Sequence, residues 1–413
     1  MKYVSAFLMG ISFLAFTCCQ QKPTNEPFIE LSSLELTDEE VRMADASNDF
    51  TCDFFQKTNV QQQEQNLFIS PLSAQFNLGM VANGTSGKTF QELESALHLS
   101  GNNEQSANNY FLKLMNNLPR LDSTTIFQSA NSIWINKESP VKTSFQQTSR
   151  KYFLAEVQNL EFSDPKSADI INQWMNEQTQ GRINKVLDKT KDDCILINTL
   201  FFKGGWIFPF DESNTRQEDF YPANGEKYQV SMMHRPDTWF NYHETDLFEM
   251  ATLPYGNNSY AMTVILPKTG ISADSCVTAF SGTNWKAWLA ASDTTSRNLD
   301  LKLPSIKLDS KTDLIPIFRK MGVNAAFNKT YADFSRMTDL EASISEIKQF
   351  TRLEITETGT VAAAATITDV CLEEEVRAVI TPHPFHVNRP FLLVIHETKT
   401  GLILFMGKIN EIP

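Results

Sequence analysis

Ala82–Thr89 reads ANGTSGKT, a relaxed phosphate-loop pattern ending in Gly-Lys-Thr. Such a loop holds phosphate only where it follows a buried strand and opens a helix, so that backbone N–H groups converge on the anion. Here the preceding residues carry the signals of a capped helix, which puts Gly84 and Gly87 in a helix-to-helix turn and sets nucleotide binding aside. His243-Glu244 and His396-Glu397 each begin like a zinc-protease helix, but Leu247 and Thr400 stand where the second histidine is needed. There is no Gly-x-Ser-x-Gly elbow, and the six histidines show no pairing with a nucleophile along the chain. No metal, cofactor or catalytic residue is expected.

The run with unusual chemistry is ETGTVAAAAT, Glu357 to Thr366, because from Thr358 to Thr368 no side chain is charged. Ala362, Ala363, Ala364 and Ala365 favour helix, whereas Thr358, Thr360, Val361, Thr366, Ile367 and Thr368 are β-branched and favour strand. By strand alternation Thr360, Ala362, Ala364 and Thr366 share one face of small side chains. That face can enter a core, where an unpaired charge would cost several kcal/mol. Gly359 supplies backbone freedom for a hinge.

The elements that must position this run are legible in part. Thr37 to Glu40 has the form of a capping box, and Met43, Ala46, Phe50 and Phe54 follow at helical spacing. Ser70 reads as an N-cap with Pro71 in the first helical position, Leu72, Phe76 and Met80 on one face and Gly84 at the end. Thr89 with Glu92 opens another helix carrying Phe90, Leu93 and Leu97. Helix is expected to continue through INQWMNEQTQGRINKVL, with Ile171, Trp174 and Met175 as its stripe. Cys194–Phe202 is an almost unbroken apolar run that reads as a strand buried on both faces. The C-terminal half turns strand-like in YAMTVILP, LDLKLPSIKL, FLLVIHE and GLILFMGKI, with a turn at Tyr255–Asn258. Helices first and strands later predict an α+β domain.

With 413 residues, 41% of them apolar and thirty of them Phe, the chain can fill one large core, and it shows no central linker or repeat. A net charge of −13 without a dense Lys/Arg cluster argues against nucleic acid or a heparin-like polyanion as partner. Residues 1–19 resemble an export signal of lipoprotein type, with Cys19, or alternatively Cys18, as the lipid acceptor. Residues 20–36 suit a flexible tether holding the domain off a membrane. Cys52, Cys194, Cys276 and Cys371 form no C-x-x-C pair and are expected to be mostly free, buried thiols, with Cys371 the exception.

The uncharged run is preceded by ISEIKQFTRLEITE and followed by PFHVNRPFLLVIHETKTGLILFMGKI, and that succession resembles the serpins. NLFISPLSAQFNLGMVANGTSG, INQWMNEQTQGRI, INTLFFKGGWIFPF, VSMMHRPDTWFNY, LPYGNNSYAMTVILP and MGVNAAFNKTYADFS resemble serpin signatures in the family's order, so the likeness runs over about 37–413. It implies one domain of helices around three β-sheets with an exposed reactive loop, here about 358–384. A protease attacks that loop and forms an acyl-enzyme, and the cut loop then inserts as a new strand into the central sheet, so that inhibition is covalent trapping by the target's own chemistry. Target endopeptidases, serine-type and also cysteine-type, are the implied partners of a monomer, outside the cell or at its envelope. A serpin fold kept only for binding or structure is the alternative.

The resemblance assigns Glu357 as the hinge residue that ends the preceding strand, and Ser70, Ser73 and Asn198 to a polar cluster that controls sheet opening. Gln349 replaces the cluster's usual histidine, and an amide can both donate and accept. Thr358 and Val361 depart from positions where charge is common, without adding charge to the inward face. The scissile bond usually lies about sixteen residues after the hinge Glu, a span of roughly 50 Å when extended. Counting from Glu357 gives Glu373-Glu374, with cleavage after Leu372 and then after Arg377 as alternatives.

Overall fold

A computed structural model describes residues 33–62, 66–179, 181, 183, 185–190, 194–360 and 381–413. Helix α1 (Asp38–Gln61) opens on the predicted capping box: Thr37 Oγ1 accepts from the Glu40 N–H, and the Glu40 carboxylate accepts from the Thr37 N–H. Helix α2 (Pro71–Ala82) begins at the predicted N-cap, with Ser70 Oγ accepting from the Ser73 N–H. Its burial is not confined to the Leu72, Phe76 and Met80 stripe. All of α2 is buried, because strands of two sheets pack against it. The remaining helices are α3 (Gly87–Ala96), α4 (Glu104–Asn117), α5 (Thr143–Phe153), α6 (Lys166–Gln178), α7 (Ala273–Ala279), α8 (Gly282–Asp293) and α9 (Ile315–Lys320).

The strands are β1 (Leu67–Ile69), β2 (Ile126–Asn136), β3 (Glu156–Leu160), β4 (Cys194–Gly205), β5 (Arg216–Phe220), β6 (Tyr228–Glu244), β7 (Phe248–Tyr255), β8 (Tyr260–Pro267), β9 (Ser296–Pro304), β10 (Ile306–Asp313), β11 (Glu346–Thr356), β12 (Gly359–Thr360), β13 (His383–His386), β14 (Phe391–Glu397) and β15 (Ile403–Ile409). The smaller sheet runs β10-β11-β12-β4-β2-β3, with β11 and β4 also paired directly. The larger runs β1-β15-β14-β8-β7-β6-β9-β13, with β5 on β6. The three sheets implied by the resemblance are joined here into two hydrogen-bonded units. The join is β6, whose first part pairs with β5 and whose end pairs with β7, while its ladder to β9 breaks register between Arg235 and Thr238.

Three expectations need correction. Helix α3 starts at Gly87, with Ser86 in the N-cap position, rather than at Thr89. Helix α6 stops at Gln178 instead of running through Leu187, and Gly181 beyond it has φ +81°, off the helical path. The N-terminal half is not purely helical, since β2 and β3 lie in it. Most of β2 is buried on both faces, so its sequence lacks the alternation that marks a strand. Both His-Glu pairs end strands, which removes the helical geometry a zinc-protease site needs. Cys52 and Cys276 are free and buried, as expected, and Cys194 is buried; Cys371 lies outside the described residues.

Candidate functional site

The smaller sheet is parted between its central strands. β4 and β11 run parallel and pair from Ile195↔Glu346 to Thr199↔Phe350. Beyond that point they have no mutual ladder, and at the far end β12 lies between them, antiparallel to both: Thr360 is opposite Ile355 and Gly204, and Gly359 is opposite Thr356 and Gly205. The start of the uncharged run is therefore already a strand of the sheet. From Leu200 to Lys203 on one side and Thr351 to Glu354 on the other, the strands stand apart, a length of about 13 Å.

The predicted hinge residues gather at this opening. The Glu357 carboxylate accepts from Thr215 Oγ1 at 2.8 Å, and its carbonyl accepts from the Phe210 N–H at 2.8 Å. The Thr358 carbonyl accepts from the Trp206 N–H, and Trp206 Nε1 donates to the Thr356 carbonyl at 3.0 Å. Thr360 is 1% exposed, with its hydroxyl 2.5 Å from the buried Tyr255 hydroxyl. Gly359 serves less as a flexible joint than as a close contact, because a Cβ there would lie 2.2 Å from the Gly204 carbonyl oxygen. Ala362, Ala363, Ala364, Ala365, Thr366, Leu372, Glu373, Glu374 and Arg377 lie outside the described residues, as do Cys18 and Cys19.

The predicted polar cluster sits under the rungs that close the sheet. Gln349 and Asn198 are register partners in the β4–β11 ladder. Gln349 Oε1 accepts from the Ser70 N–H at 3.0 Å, and its Nε2 donates to the Ser70 carbonyl at 2.7 Å and to Ser73 Oγ at 3.1 Å. Ser73 Oγ donates to Asn198 Oδ1, and Asn198 Nδ2 donates to Asn131 Oδ1. Asn131 closes the chain on the Phe153 carbonyl at 2.9 Å. The amide has two N–H donors on one nitrogen, so Gln349 serves both Ser70 and Ser73 and the network is connected. One member was missed: Asn131, a lone amide in the apolar run of β2; outside that network, Thr351 donates from Oγ1 to the Phe68 carbonyl at 2.5 Å. In the ANGTSGKT turn the Gly84, Thr85 and Ser86 N–H groups donate to the Val81, Ala82 and Asp333 carbonyls, and Lys88 is an exposed side chain paired with Glu92. Among the described residues no group of His, Cys, Asp and Glu is arranged to hold a metal ion.

The family model for Serpin (serine protease inhibitor) matches residues 45–412. The chain belongs to the serpin family. An uncharacterised serpin-like protein of Methanosarcina mazei is 30% identical over 379 residues, covering 89% of this chain and 87% of the relative. Human serpin B8 is 29% identical over 380 residues, covering 89% and 99%. Among solved structures, the thermophilic serpin tengpin in its native state superposes with a TM-score of 0.80 at 25% identity, over 93% of this chain and 97% of that one. These serpins match over nearly their whole length, so the parted sheet and the root of the loop belong to the shared domain.

Proposed function

We propose that this serpin inhibits serine-type endopeptidases, and cysteine-type ones too, by offering the segment after Thr360 as a substrate and taking it up as a strand between β4 and β11. The observation that carries the reading is β12: Gly359 and Thr360 already pair with both strands, so insertion is the extension of an existing ladder. The target's nucleophile attacks the scissile carbonyl, the C–N bond breaks, and the new amine leaves with its proton. The acyl-enzyme half stays tied to residue 360. Ala362, Ala364 and Thr366 continue the inward face that Thr360 begins, so no charge has to be buried on the way. Going past the parted region requires breaking the rungs from Thr199↔Phe350 downward, and the next of these is Asn198↔Gln349, above the polar cluster.

The bond after Glu373 is the first choice for attack, then that after Leu372, then that after Arg377. The export signal, with lipid at Cys19 or Cys18, would place this activity outside the cell or at its envelope. The decisive experiment mixes the chain with a panel of glutamyl-specific, chymotrypsin-like and trypsin-like proteases. A covalent complex that survives SDS is expected, and mass spectrometry of the trapped acyl end locates the bond. Cleavage of the loop with no such complex from any enzyme overturns inhibition and leaves a binding or structural serpin.

A further inference from the structure

We infer that the Tyr255 hydroxyl is a latch that keeps Thr360 inside the sheet in the uncleaved molecule and thereby sets how much loop a protease can engage. The latch itself rests on geometry; its consequence for a protease rests on the inhibitor reading above.

Tyr255 ends β7 and is fully buried, and among the described residues Thr360 is the only hydrogen-bond partner of its hydroxyl. Its ring is fixed. Trp206 stacks on it with centroids 4.4 Å apart and 15° between planes, and Phe202 meets it edge-on at 5.1 Å. Trp206 is itself tied to the Thr356 and Thr358 carbonyls on either side of the hinge Glu. A Cβ on Gly204 would lie 3.0 Å from the Tyr255 ring, so a glycine in β4 leaves room for the phenol beneath the hinge.

The physical consequence follows from what each hydroxyl does alone. If Thr360 leaves the sheet, the phenol cannot swing to another partner and is left buried without a hydrogen bond. If the phenol is removed, Thr360 has an unpaired hydroxyl when inserted and a solvated one when expelled. Either loss favours expulsion. Removing both hydroxyls leaves two apolar surfaces of similar shape and restores insertion. Expulsion lengthens the free loop by two residues, about 7 Å, which eases its fit to an attacking enzyme.

Hydrogen exchange of the full chain, read on a peptide containing Gly359 and Thr360, tests this. Tyr255→Phe and Thr360→Val are each expected to exchange about three- to tenfold faster than the parent, the range of one hydrogen bond. The double variant is expected to return to within about twofold of the parent, a rescue that a general loss of packing would not give. Thr360→Val covers the case in which Tyr255→Phe fails to fold, since it leaves the core residue in place. A second arm measures the association rate with any protease that the parent traps, and both single variants are expected to be faster by a similar factor. Parent-like exchange in both single variants, or a double variant as open as the singles, overturns the latch. If no variant and no parent traps any protease, exchange still decides the latch and only the inhibitor reading falls.

Discussion

At its N-terminal root, the 361–380 segment leaves from Gly359 and Thr360, a place with no charged side chain of its own: two glycines in contact, a hydroxyl pair and backbone ladders on both sides of β12. Where the chain re-enters the described structure, β13 is an edge strand parallel to β9, and its histidines are held by carboxylates. His383 Nε2 lies 3.1 Å from the Glu249 carboxylate, and His386 Nε2 lies 2.8 Å from Asp300. His234, from β6, takes the other Asp300 oxygen at 2.6 Å. Burial pushes the Asp300 carboxyl up, but the hydrogen bonds with His234 and His386 outweigh it and hold it below the usual carboxylate value. The contrast is physical. On the inhibitor reading, an end that travels into a core cannot carry charge, because desolvation opposes it, whereas an end at a wet edge can use carboxylates as partners at little cost.

The strongest way to break this contrast is to charge the uncharged end. Thr360→Arg would bury a guanidinium with no partner on insertion, at several kcal/mol, so the variant is expected to be cut as a substrate without trapping. The ratio of cleaved to SDS-stable product checks it, and undiminished trapping would show that residue 360 stays out of the sheet during inhibition.

Sharpening the other side by acid titration first requires removing a larger background. His396 is fully buried, burial lowers its pKa from 6.5 to about 4, and its Nε2 lies 3.0 Å from Thr263 Oγ1. The unfolded state therefore binds more protons between pH 6.5 and 4, and stability falls as pH drops through that window, by up to about 3 kcal/mol. His396→Gln is expected to flatten the urea-unfolding stability between pH 7 and 5. Asp300 acts lower. Its depressed value means that its contribution is present above the usual carboxylate range and is lost as pH falls through the folded value.

A smaller effect is expected beneath β4 and β11. Gln349→Leu strips partners from the Ser70 N–H, the Ser70 carbonyl and Ser73, at about 2 kcal/mol, and a thermal melt should show the loss with β13 untouched. Smallest of all, His383→Gln and His386→Gln at pH 7 should each change stability by about 0.5 kcal/mol or less, since these pairs are partly exposed. A drop of several kcal/mol from either would mean that the edge is not held as a wet surface contact.

Much of the local structure was legible because its signals are local. Thr37 with Glu40, and Ser70 followed by Pro71, mark helix starts through contacts within three residues. β8 and β14 could be read from short apolar runs bounded by turns. β2 could not, because a strand buried on both faces has no alternating pattern, and Asn131 within it gave only the hint of one amide among apolar neighbours.

By itself, the sequence determined which residues could be inserted: small, uncharged, alternating side chains from Thr360 onward, and a succession of motifs that identified the family. Those are properties of side chains and of order along the chain. Only the tertiary structure decided that Gly359 and Thr360 already lie between β4 and β11, and what meets them there. Gly359 is set against Gly204, 155 residues away by number, and Thr360 pairs with Tyr255, 105 residues earlier. Gln349 reaches back 279 residues to accept from the Ser70 N–H. Hydrogen bonds and steric contact depend on distance in space, and no local pattern encodes which distant hydroxyl or carbonyl the folded sheets bring within 3 Å.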